Sequence, residues 1–148
     1  HHTATPLTTT VTQIAQYHVT ELGWPGIGYH IVITPSGVVS LTNWLHVVSY
    51  HVRWGRPIAS VSTQNWASVG IALIGDFAGE NMPTSQQIES LRTVVHEVDQ
   101  LIQFMTGDPS PLQLWGHREL DPSTECPGDG GMDVVRQLRQ DLALPGGV

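Results

Sequence analysis

The sequence predicts an α/β domain with one central mixed β-sheet flanked by helices. Three observations lead there. Residues 69–75, VGIALIG, are apolar almost throughout, as in a central strand covered on both faces. Residues 84–107 carry a long apolar stripe of helical period between a threonine cap and a glycine stop. Strand-like and helix-like stretches interleave along the chain, the pattern of one sheet covered by helices.

The elements follow in order. Thr10 opens the first helix, with Val11, Ile14, Ala15, His18, Val19 and Leu22 on one face. Gln13 completes a capping-box signature and Gly23 is the expected stop. His18, on that apolar face, reads as a satisfied core histidine. YHIVI (29–33) reads as a strand, TPSG (34–37) as a turn and VVSLT (38–42) as the returning strand, so the sheet is mixed. Residues 43–68, rich in Trp, His, Ser and Asn, read as a long surface connection, the usual place for binding groups. Trp44 and Trp54 are its best candidates for stacking on a ligand.

Thr84 caps the longest helix, with Gln87 three residues on. Ile88, Leu91, Val94, Val95, Val98, Leu101, Ile102 and Met105 form its stripe, and Gly107 ends it. LQLWG (112–116) is expected as a short strand delivering HRE at its end. A last helix is expected from Asp133, with Val134, Val135, Leu138 and Leu142 inward. Nothing repeats, and no boundary interrupts the pattern. Residues 1–148 are read as a single domain, large enough to bury a real core.

Six basic residues stand against 13 acidic ones, a formal net charge of -7. That argues against binding driven by nucleic-acid phosphates, and it offers no long-range attraction to any anionic polymer. No apolar run approaches the roughly 18 residues of a membrane span. The single cysteine, Cys126, rules out an intrachain disulfide framework.

GHRELDPSTECPGD (116–129) carries the chemistry. His117 follows the expected strand, and Cys126 lies in a loop stiffened by Pro122 and Pro127. Imidazole nitrogen and thiolate sulfur suit a borderline-soft ion such as Zn²⁺, but a catalytic site wants three protein ligands. From spacing alone, a core-facing histidine beside an inert buried cysteine is the rival reading. The opening HHTAT leaves a similar choice between a tag remnant and a functional His1.

GWPGIGYHIVITPSG, NWASVGIALIGDF, GHRELDP and TECPG, in this order, resemble the type-2 N-acetylmuramoyl-L-alanine amidases. That family includes amidase-type phage lysozymes and the peptidoglycan recognition proteins. The resemblance runs from residue 1 to about residue 130 and implies a zinc amidase fold with the metal in an open groove. It implies one Zn²⁺ ion held by His1, His117 and Cys126, with Tyr29 as the catalytic tyrosine and Thr124 as a second hydrogen-bonding group. His51, Asn65, His30 and Arg118 match positions that line the family's groove and are expected as substrate-binding residues. The resemblance further implies a strand preceding His1, absent from this sequence.

Two departures matter. Ala72 stands where some relatives place a glutamate, and Thr124 stands where some phage enzymes place a lysine. The resulting set is of the recognition-protein catalytic type. The activity implied is zinc-dependent hydrolysis of the amide joining N-acetylmuramic acid to L-alanine in peptidoglycan, the chemistry of a bacteriolytic endolysin. The alternative is a non-catalytic peptidoglycan-binding module. The expected partner is peptidoglycan (the muramyl peptide), met at the cell wall by secretion, periplasmic export or phage release. A monomer is the default.

Overall fold

A computed structural model describes residues 1–52, 63–79 and 81–146. The elements are α1 (Val11–Thr20), β1 (Ile31–Ile33), β2 (Val39–Leu41), α2 (Thr63–Trp66), β3 (Ile71–Leu73), α3 (Ser85–Thr106), α4 (His117–Leu120) and α5 (Gly128–Asp141). The sheet order is β2-β1-β3. β1 runs antiparallel to β2, with Val32 opposite Ser40, and parallel to β3, with Val32 opposite Ala72. The sheet is mixed, as expected, and β3, from the VGIALIG stretch, is an inner strand covered on both faces, with Ala72 and Leu73 buried. On the far side of β3 the pairing continues into the first residues of the chain. His2 bridges Leu73 in parallel, the Leu73 N–H donates to His1 O at 3.0 Å, and the Thr3 N–H donates to Leu73 O at 3.1 Å.

Strand alternation sorts the core into two layers. Ile31, Ile33 and Leu73 face Leu91, Val94, Val95 and Val98 of α3 and Val134 and Leu138 of α5. Val32, Ala72 and Ile74 face Ile14 of α1 and Ile27. Helices therefore cover both faces. Both capping boxes form as the sequence implies, Thr10 with Gln13 and Thr84 with Gln87, and Gly107 ends α3 at φ 70°. Gln87 does more than cap. It is fully buried, and its Nε2 donates to Ile33 O and Ile74 O, tying the start of α3 to the sheet. The last turns of α3 leave the core: Leu101, Phe104 and Met105 are exposed.

Three expectations need correction. LQLWG is not a strand. Leu112 N–H donates to Asp99 Oδ1 at 2.7 Å, and Leu114 N–H donates to Pro145 O at 3.0 Å. Leu114 O accepts from the Arg139 guanidinium. Across a cavity of about 720 Å³ stand Ile71 and Leu73 of β3, and no ladder joins the two sides. The last helix begins at Gly128 rather than Asp133. The 43–68 connection is not simply surface, because Ser49, His51 and Asn65 within it are buried; Trp54 lies outside the described residues. Among the described residues, no helix is long and apolar enough to cross a membrane.

Candidate metal centre and its groove

Three segments bring the expected ligands together. His1 is placed by the ladder on β3, where its backbone nitrogen donates to Ile71 O at 2.9 Å. Side chains alternate along that segment, so His2 points away from His1. Its Nδ1 accepts the Phe77 N–H at 3.1 Å beside Asp76. His117 opens α4, and Gly116 before it donates to Glu119 Oε2 at 2.7 Å. Glu119 is held in turn by a two-pronged pair with Arg139, a geometry that favours a fixed orientation. Cys126 is drawn to α4 by the Arg118 N–H, which donates to Cys126 O at 2.7 Å.

One ligand atom from each of His1, His117 and Cys126 lies within 4.8 Å of the others. His1 Nδ1 is 3.7 Å from Cys126 Sγ. A tetrahedral zinc with ordinary Zn–N and Zn–S bonds places its ligand atoms about 3.4–3.8 Å apart. His117 Nε2 is buried without a hydrogen-bond partner among the described residues, a cost that a bound cation would remove. Burial lowers the His117 pKa to about 4, opposed by Asp121, so its ring is neutral and has a lone pair to give. The donor set fits zinc.

These residues line a groove of about 310 Å³ together with Tyr29, Tyr50, His51 and Thr124. The Tyr29 ring lies 5.4 Å from that of His1 and the His117 ring 4.4 Å. Burial raises the Tyr29 pKa, and Cys126 raises it further, so the phenol keeps its proton. Thr124 Oγ1 accepts the Cys126 N–H at 3.1 Å, leaving its own proton free to donate. The His2 N–H points at Cys126 Sγ, 3.3 Å away.

The four residues expected to bind substrate separate. His51 lines the groove, 5% exposed, with its Nδ1 3.3 Å from His1 Nε2. Burial lowers its pKa to about 3. His30 is 1% exposed and turned the other way from Tyr29. Its Nε2 donates to Val47 O at 2.8 Å, and its Nδ1 accepts the Gly70 N–H at 2.9 Å. Asn65 is likewise occupied, bridging the N–H and C=O of Val52 at 2.8 Å each. Arg118 pairs with Asp129 at 2.8 Å. None of these three is among the residues lining the groove. His18 is the satisfied core histidine expected, accepting the Gly28 N–H at Nδ1.

Sequence reading passed over Tyr50, which stacks on Trp24 at 5.6 Å in the groove wall, and the lining carboxylate of Asp121. Asp121 stood in view in the GHRELDP motif. Tyr50 gave no signal, since its role depends on a packing partner distant in sequence.

Comparison with known proteins gives a consistent result. A family model described as N-acetylmuramoyl-L-alanine amidase matches residues 1–129. Peptidoglycan-recognition protein SC2 of Drosophila melanogaster is 32% identical over 144 residues, covering 92% of this chain and 70% of the relative. An endolysin of Enterobacteria phage K11 is 31% identical over 121 residues, covering 79% and 68%. Among solved structures, the N-acetylmuramoyl-L-alanine amidase LysCS of Clostridium intestinale superposes with a TM-score of 0.71 at 27% identity, covering 97% of this chain and 80% of that one. Relatives thus carry both enzyme names and recognition names.

Proposed function

Since the chain belongs to the N-acetylmuramoyl-L-alanine amidase family, we propose that it hydrolyses the amide between N-acetylmuramic acid and L-alanine in peptidoglycan, using one Zn²⁺ ion. The observation that carries this reading is the convergence of His1, His117 and Cys126 beside a buried, unpartnered His117 Nε2. These three residues would hold the ion. When bound, zinc supplies an activated water and polarises the scissile carbonyl.

The remaining chemistry belongs to the chain. Tyr29 stays protonated and donates a hydrogen bond toward the oxygen that gains charge as the amide carbon becomes tetrahedral. Thr124, fixed through the Cys126 N–H, donates a second. His51 supports His1 from behind. Trp24 and Tyr50 give the groove an aromatic wall suited to the faces of a sugar or peptide. The chain acts on the cell wall as a monomer.

Mass spectrometry of purified peptidoglycan digested by the protein tests this reading. Free stem peptides beginning at L-alanine, beside intact glycan strands, are expected. Their loss with a chelator and return with zinc is expected too. A folded, zinc-loaded protein that binds peptidoglycan without releasing peptides is a recognition module instead.

A further inference from the structure

We propose that His51 is a positioning residue that fixes the tautomer of His1, so that His1 presents its Nδ1 lone pair to the metal; this rests on the zinc reading above. The geometry fixes each proton in turn, starting from a group that can only accept. Gln64 O is a backbone carbonyl, and the Ser68 hydroxyl donates to it. Ser68 Oγ, its proton committed, is an acceptor toward His51 Nε2 at 3.4 Å. His51 therefore carries its proton on Nε2, and its Nδ1 is an acceptor. That Nδ1 faces His1 Nε2 at 3.3 Å, so the His1 proton sits on Nε2.

What remains on His1 is the Nδ1 lone pair, on the side of Cys126 Sγ. The other tautomer of His1 would set two lone pairs against each other and aim a proton at the ligand cluster. A ligand histidine needs its second nitrogen anchored in this way.

The relay is held rigidly. His51 packs on the bare backbone of Gly70, where an added Cβ would lie 2.4 Å from the His51 ring. The His30 ring meets it edge-on at 5.6 Å. Gln64 lies within α2 and Ser68 two residues beyond its end, so nothing in their sequence positions marks them.

The test combines ¹⁵N NMR of the imidazole nitrogens in the full, metal-free chain with zinc affinity measured by chelator competition. The expected spectrum has His1 and His51 both protonated on Nε2. His51→Ala should weaken zinc binding about 10- to 100-fold. His51→Gln, whose amide oxygen can accept from His1 Nε2, should recover most of that loss. Ser68→Ala should cause a smaller loss and add nothing on top of His51→Ala, because it acts only through His51.

A His1 proton on Nδ1 in the metal-free wild type overturns the proposal, as does full zinc affinity in a folded His51→Ala. Should that variant not fold, the wild-type spectrum and Ser68→Ala, at a partly exposed position, decide alone. A wild type that takes up no zinc overturns the metal reading and this role with it, and the metal-free spectrum still distinguishes that failure from a wrong tautomer.

Discussion

Replacing Tyr29 by Phe removes one hydroxyl and leaves the ring that packs near His1 and His18. Zinc content should be unchanged, while turnover on purified peptidoglycan falls about 10²- to 10³-fold, the usual cost of one lost donor to a developing oxyanion. An unchanged rate would remove Tyr29 from the chemistry. Cys126→Ser or His117→Ala should lose both zinc and activity, read as metal content after dialysis beside cleavage. The family resemblance singled these residues out: a thiolate and an imidazole can both ligate zinc, but their types and spacing alone left a plain packing role equally open. It expected groove contacts from His30 and Asn65 in the same terms, yet both have their polar atoms engaged by backbone within the protein. Residue type tells what a side chain can bond, and only its neighbours tell what it does bond.

The α3 start shows how legible a local rule can be. Thr84 and Gln87 cap each other across a single turn, and Thr84 Oγ1 also donates to Pro35 O at 2.7 Å. Thr84→Ala should therefore cost about 1–2 kcal/mol, read as a shift in urea midpoint. Thr10→Ala, at an exposed cap, should cost less. The start of α5 shows the reverse case. Gly128, Gly130 and Gly131 are poor helix formers, so periodicity placed the start at Asp133. The helix begins at Gly128 because its first turn lies against backbone: a Cβ on Gly130 would come 2.0 Å from Asn81 O. Gly130→Ala should destabilise by about 1–3 kcal/mol, since a carbonyl cannot move aside as a side chain can; thermal unfolding would show it. The 112–116 segment failed as a strand for a related reason. Its composition suits a strand, but its backbone partners are Asp99, Pro145 and Arg139 rather than a neighbouring strand.

At the scale of the molecule, buried neutral histidines tie stability to pH. His18 accepts the Gly28 N–H and lies among the rings of Tyr17, Trp24 and Tyr29. His30 meets Val47, Ser49, Gly70 and the His51 ring. Burial lowers both pKa values, and no carboxylate is among these contacts. The unfolded chain therefore takes up protons first as pH falls. Their contribution is full above about pH 6.5 and is lost as pH falls toward the lowered folded values, by on the order of 1.4 kcal/mol per pH unit for each proton. Urea midpoints of metal-free protein from about pH 8 to about pH 5 should fall accordingly; a flat series would contradict this account. The sequence by itself determined the α/β class, the two capped helices and the β1–β2 hairpin, because these follow from local periodicity and turn chemistry within a few residues, whereas the ligand set was implied by the family resemblance alone. Tertiary structure alone decided that the first residues of the chain pair beside β3, that 112–116 forms no ladder, and that His1 meets His51 while His30 and Asn65 turn inward. Those outcomes depend on contacts between residues tens of positions apart, where burial and available partners select among arrangements that local sequence leaves equal.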